Sequence, residues 1–195
     1  MMKKAGTSRK SILAASRQLV AEKGLAAVNM RSVGKACDLA LGSIYYYFPS
    51  KDDLLLATIA SVWDDIFSWE GPDYAPSADP SDSSFPAYIA QFFAHLSEGI
   101  ARYPHFFTIH SLSFSERGQA KGSSTMRRYL AEIEGRMAQA LERDEGVSPR
   151  AFSGDFTEEV FIDMVLTTMI AFLVQRKDDP SALVEMVRRS LYFPE

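Results

Sequence analysis

Between residues 9 and 23 apolar side chains return at helical intervals: Ile12, Leu13, Leu19 and Val20, with Ser16 in register. This predicts an amphipathic helix with one face toward a core. Gly24 follows where a left-handed C-cap residue belongs. A second, short helix is predicted from about Met30 to Cys37. Asn29 is its N-cap, because its side-chain oxygen accepts from a free amide of the first turn. Two or three residues of turn lead to another short helix near 41–47, in the stretch that holds Ser43-Ile44-Tyr45-Tyr46-Tyr47-Phe48. Ser50 and Asp53 then have capping-box spacing, with Asp a shorter partner than the usual Glu. A long helix runs on to about Trp69, with Leu55, Ile59, Val62 and Ile66 on one face and Trp63 and Phe67 beside it.

Residues 71–86 hold four of the nine prolines and no periodicity, which marks a long connection. Helical patterns resume at about 86–102, 104–116, 123–144, 155–176 and 180–192. No segment of strand period, internal repeat or low-complexity tract occurs, so the expected fold is all-α. The 155–176 segment is apolar on nearly every face, and such a helix must be covered on both sides.

Composition narrows the class. Of 195 residues, 47% are hydrophobic and 24% charged, which excludes disordered and collagen-like chains. The single cysteine, Cys37, excludes an intrachain disulfide and a paired-cysteine metal or redox motif, and reads as core packing. The first ten residues are basic without a following apolar region, unlike a secretory signal. The longest apolar run, Phe161–Val174, is too short and polar to span a bilayer. A cytoplasmic protein without membrane contact is expected.

The net charge of −4 hides an asymmetry. Residues 1–55 carry nine Lys and Arg against four acids, a balance of +5; the remainder carries twelve against twenty-one, or −9. A basic head on an acidic body is the footprint of a chain whose head meets a polyanion. Two short helices joined by a tight turn within that head form the pattern of a helix-turn-helix, whose second helix enters the major groove. Gly42 lets backbone approach the duplex and Ser43 offers a hydroxyl to a base edge or phosphate. Three successive tyrosines stand about 100° apart around a helix, so they cannot all face one core. One packs inward while others present hydroxyls to phosphates. Lys51 opens the next helix, where free amides and a cation together favour a phosphate.

Across residues 8–55 the chain resembles the TetR family of bacterial transcriptional regulators. The resemblance rests on Arg9, Ile12-Leu13, Ala15, Leu19 and Gly24; on Asn29, Arg31 and Val33; on the run Cys37–Phe48; and on Ser50-Lys51-Asp52-Asp53-Leu54. It departs from the family pattern at Asp38, where Gly is usual in the turn, and at Ala40, where a hydroxyl usually caps the recognition helix. It departs also at Leu41, where a polar or basic residue is common. The resemblance implies a homodimer on an inverted-repeat DNA operator and a small-molecule effector that weakens DNA binding. It divides the chain into a helix-turn-helix domain, 1–50, and a helical ligand-binding and dimerisation domain, 51–195. Gly42 and Ser43 then meet bases, while Leu41, the departure, touches a thymine methyl instead; Asn29, Tyr45, Tyr46 and Lys51 meet phosphates; and Arg31 reaches either. Lys3, Lys4, Arg9 and Lys10 form a tail that either adds salt-sensitive contacts or is simply solvated.

An effector pocket is expected among adaptable aromatic and Met side chains: Trp63, Phe67, Phe92, Phe93, Phe106, Phe107, Met126, Tyr129 and Met164. A dimer contact is expected as an intersubunit four-helix bundle through Val160, Met164, Thr168, Leu183, Val187 and Leu191. His95, His105 and His110 lie at spacings of ten and five without a completing Cys or acid cluster, so no metal is expected, and no cofactor. A helical-bundle enzyme lacks support, with no Glu-x-x-His pair, nucleophile triad or glycine-rich phosphate loop. A DNA-binding adaptor whose second domain docks a protein is the alternative within the same fold. The effector, operator, regulated genes and sign of regulation leave no trace in the sequence.

Overall fold

The computed structural model describes residues 8–67, 84–104, 106 and 119–192. The expected long connection at 71–86 and helix at 104–116 therefore fall largely outside the described residues. Among those described are eight α-helices and one 3-10 turn. They are α1 (Arg9–Lys23), the 3-10 turn (Leu25–Ala27), α2 (Met30–Ala36), α3 (Leu41–Tyr47) and α4 (Lys51–Ile66), then α5 (Phe85–Ala101), α6 (Gln119–Glu142), α7 (Glu158–Val174) and α8 (Ser181–Tyr192). The fold is all-α; the described residues hold no strand, only an isolated antiparallel bridge between Ser153 and Phe156.

The chain divides into two compact units, residues 1–68 with 99–118, and residues 69–98 with 119–195. In the first, α1 packs on α4, on the 3-10 turn and on α2, and α2 packs on α3. Their apolar faces meet in a small core: Ile12, Val20, Val33, Ile44, Phe48, Leu54, Val62 and Ile66 are all at most 1% exposed. The buried residues of α4 put Leu54 rather than Leu55 on the core face. Leu54, Thr58, Ser61 and Val62 follow the 3.6-residue period with Ile66, and Thr58 buries its hydroxyl by donating to the Leu54 carbonyl at 2.8 Å.

Helix ends are set by local chemistry. Ser8 and Ser11 cap α1 reciprocally, the Ser11 amide donating to Ser8 Oγ at 3.1 Å and the Ser8 amide to Ser11 Oγ at 3.0 Å. Gly24 has the positive φ expected, 78°, but ψ of 171° is extended rather than left-handed helical. The chain leaves α1 straight into the 3-10 turn, which the sequence pattern did not predict. Ser50 Oγ accepts from the Asp53 amide at 3.1 Å and donates to the Asp53 carboxylate at 2.7 Å. The expected capping box at α4 is thus only half formed: the short Asp side chain stops at the hydroxyl.

In the second unit α6 packs on α7 and α7 on α8. Tyr129, Ile133, Met137 and Leu141 on α6 and Leu183, Val187 and Leu191 on α8 are buried at four-residue spacing. Phe85 and Phe161 meet at 6.0 Å between ring centroids, and Phe152 and Phe161 at 5.7 Å. Asp144 ties this unit together, accepting from the Phe85 amide at the start of α5, from the Gly146 amide and from the Tyr192 hydroxyl near the end of α8. Burial and the adjacent carboxylate push the Tyr192 phenol up, so it stays the donor.

Leu54→Ala should lower the unfolding free energy by about 2–5 kcal/mol through a cavity in the first unit. Leu55→Ala should cost clearly less. Chemical denaturation of both variants checks which leucine faces the core.

Candidate nucleic-acid interface

The α2–α3 turn fixes the geometry. Asn29 Oδ1 accepts from the amides of Arg31 at 3.0 Å and Ser32 at 2.9 Å, while Ser32 Oγ accepts from the Asn29 amide at 3.0 Å. This complete capping box holds the start of α2. It also spends the Asn29 carbonyl on its own helix, leaving only the Asn29 amide group for a phosphate, and that group already lies 3.5 Å from the Ala27 carbonyl.

At the other end of α2 the chain reverses through Cys37 and Asp38. Asp38 adopts φ of 53°, the left-handed conformation its short polar side chain tolerates. The Leu39 amide then donates back to the Gly34 carbonyl at 2.9 Å. Gly34 makes this return possible: a Cβ there would lie 3.2 Å from the Leu39 carbonyl oxygen and 3.5 Å from Ile44 Cγ1. Ala40 heads α3 without a side-chain cap, as its missing hydroxyl requires. Burial pushes the Cys37 thiol up, so it stays protonated and packs as a small apolar group.

So placed, α3 divides its side chains sharply. Ile44 and the following Phe48 are buried, while Leu41 is 40%, Tyr45 48% and Tyr46 82% exposed. Ser43 and Tyr47 are half-buried and Gly42 is exposed, with open space where a Cβ would be. Tyr47 is the inward member of the tyrosine run and meets Tyr46 edge-on at 5.2 Å. Arg31, Lys35 and Lys51 are exposed on the neighbouring helices, as are Arg9 and Lys10 on α1. Arg9 lies over the Phe48 ring at 5.1 Å, which fixes a cation beside the end of α3. Sequence spacing did not reveal that contact, because 9 and 48 share no local pattern. Lys3 and Lys4 lie outside the described residues.

The uncapped tip of α3 thus exposes Leu41 and Gly42, and cations are exposed on the neighbouring helices. The family model for bacterial regulatory proteins of the tetR family matches residues 12–58, which span α1 to the first half of α4. The head of the chain is thus of TetR-family type. Its head is 43% identical over 60 residues to the HTH-type transcriptional repressor KstR of Rhodococcus jostii, covering 31% of this chain and 28% of that protein. The chain thus spans less than a third of the length of the curated relatives it matches. The fold likeness reaches further. A structural-genomics protein from Rhodococcus sp. RHA1 matches with TM-score 0.67 and 15% identity over 96% of both chains. The multidrug binding protein EbrR, complexed with imidazole, matches with TM-score 0.60 and 17% identity over 98% of both.

The fold distributes the expected effector residues between the two units. Trp63, Phe67 and Phe106 lie in the first, where Trp63 stacks on Phe67 at 5.3 Å and meets Phe106 edge-on at 5.4 Å. Phe92, Phe93 and Tyr129 are buried in the second. Phe107 and the Met126 side chain lie outside the described residues. Met164 is exposed. Val160 is exposed and Thr168 half-buried, whereas Leu183, Val187 and Leu191 are at most 2% exposed. Those three fill the chain's own core and have no surface left for a partner. Among the described residues no group of three His, Cys, Asp or Glu is placed to hold a metal.

Behind α4, Asp65 joins three elements of the first unit. It accepts from the Tyr103 hydroxyl at 2.9 Å and pairs with Arg102 at 3.2 Å and Arg17 at 3.8 Å. Burial, reinforced by the Asp65 bond, pushes the Tyr103 phenol up to about 12. Arg17 also donates to Ser61, and Gly99 closes on Ile66, where a Cβ would lie 3.1 Å from the Ile66 carbonyl oxygen.

Removing the Asn29 cap with Asn29→Ala should cost about 1 kcal/mol. Asp38→Gly should relieve the left-handed strain and raise stability by up to about 1 kcal/mol. Thermal unfolding of the two variants should move in opposite directions.

Proposed function

We propose that this TetR-family protein is a dimeric DNA-binding transcriptional regulator, a repressor released from its operator by a small apolar or aromatic effector. The observation that carries the reading is the outward face of α3. Leu41, Tyr45 and Tyr46 stand exposed there, Arg9 lies over Phe48 at the end of α3, and Arg31, Lys35 and Lys51 are exposed on the neighbouring helices. Leu41, Gly42 and Ser43 are assigned to base edges, Tyr45, Tyr46 and Lys51 to phosphates, the Asn29 amide group to a phosphate and Arg31 to either. The sign, repression, follows the name of the KstR relative. A cytoplasmic location goes with the proposed DNA-binding role. No helix among the described residues is long and apolar enough to cross a membrane. No catalytic role is assigned.

The dimer contact is assigned to apolar side chains left uncovered on α7 and α8: Val160, Met164 and Val174 are exposed on α7, which also buries Phe161, Ile162, Val165, Leu166, Met169 and Leu173, and Met186 is exposed on α8. A helix apolar all round is stable only when both sides are covered. Half-sites one helical turn apart, about 34–36 Å, then follow from two-fold symmetry.

The switch is assigned to α4. It begins at Lys51 and carries Trp63 one turn before its end, about 24 Å of rod at 1.5 Å per residue. Close-packed elements move as units rather than deforming softly. A ligand wedged beside Trp63 and Phe67 would displace the Lys51 end and change the spacing of the two heads. Linkage requires reciprocity, the effector and DNA weakening each other by the same factor.

Lys51→Ala should weaken binding equally on all duplexes and flatten the salt slope by about one unit, while Ser43→Ala should change preference at particular base pairs. Identical behaviour of the two variants would remove the assigned roles. Met164→Asp should leave the fold intact and yield monomer in sedimentation, whereas an unchanged dimer would relocate the interface. The reading as a whole is tested by titrating a ligand that quenches tryptophan fluorescence with and without selected operator DNA. Its affinity should fall when operator is bound, and equal affinity in both titrations would contradict the release mechanism.

A further inference from the structure

The recognition helix is unusual in what it lacks. From Leu41 to Tyr47 it carries no Lys, Arg, Asn, Gln, His, Asp or Glu. The side chains that grip guanine or adenine through two bonds, or accept from cytosine, are therefore absent from the helix that enters the groove. What α3 offers is hydroxyl groups and carbon. Ser and Tyr hydroxyls both donate and accept, so they fit more than one base edge. Exposed carbon has one matching feature on the floor of the major groove, the C5 methyl of thymine.

Leu41 supplies that carbon. It is 40% exposed, and no neighbouring core claims it. It stands four residues before the exposed Tyr45, so the two share one face of α3. Gly42 beside it leaves open space that lets the backbone close on the duplex. The exposed cations Arg9, Arg31, Lys35 and Lys51 lie on other helices, so none of them takes Leu41's place on α3.

Resting on the proposed DNA-binding role, we propose that Leu41 is a specificity-determining residue that reads a thymine methyl in each operator half-site. Thymine at that step is selected by apolar contact, not by a hydrogen bond. Removing the methyl while keeping the base pair should then cost as much as uncovering one methyl-sized group, about fourfold in affinity.

The test starts from the duplex that the wild-type protein selects from a random pool. Each thymine of a half-site is replaced singly by deoxyuridine, and affinities are measured for the wild-type protein and for Leu41→Ala. Leu41 is exposed and alanine favours a helix, so the variant should fold, which circular dichroism verifies. The expected result is one position per half-site where deoxyuridine weakens wild-type binding about fourfold and leaves Leu41→Ala binding unchanged. Uniform indifference to deoxyuridine, or a loss that persists in Leu41→Ala, would overturn the assignment while sequence-selective binding stood. Failure to enrich any sequence would instead take the DNA-binding reading down with it.

Discussion

The α2–α3 turn is the constraint on which the functional face depends. The Leu39 amide reaches the Gly34 carbonyl with residue 34 free of a side chain and Asp38 at positive φ. That closure sets how α3 leaves α2, and hence which of its residues point inward. Ile44 and Phe48 complete the small core; Leu41, Gly42, Tyr45 and Tyr46 are left outside it. A Cβ at 34 would lie 3.2 Å from the Leu39 carbonyl oxygen, so the turn would have to give by a few tenths of an ångström. That outward face is thus positioned by backbone geometry, and the core does not bury its side chains.

Much of this was legible in the sequence, for identifiable reasons. The helices of the first unit announce themselves through period and caps, so α1 to α3 fall within a residue of expectation. Asp38 and Ala40 depart from the family pattern, and the structure shows each absorbed locally, by a left-handed turn and by an uncapped helix start. What the sequence hid was long-range or one-residue in scale. Leu54 and Leu55 are adjacent and equally apolar, so only the angle at which α4 meets α1 decides between them. Arg9 on Phe48 and Tyr103 on Asp65 join residues far apart in the chain, with no repeating pattern to betray them. The Gly24 exit was misread because glycine permits extended ψ as readily as the left-handed well.

The second unit was less legible because apolar character alone does not say which side is covered. α7 is apolar nearly all round, and α8 strongly amphipathic. The sequence offered Leu183, Val187 and Leu191 as a partner surface because they form the clearest stripe. That stripe fills the chain's own interior instead. The surface left for another molecule is the weaker pattern, Val160, Met164, Val174 and Met186, interspersed with polar residues as a face exposed in the single chain must be.

The central claim, that the outward face of α3 is where DNA sits, is tested most directly by residue-resolved amide NMR of the protein titrated with its selected operator duplex. The account predicts the largest shifts at Leu41–Tyr47 and at Arg31, Lys35 and Lys51, with α7 far less affected. Shifts centred on any other surface, with α3 unchanged, would contradict it.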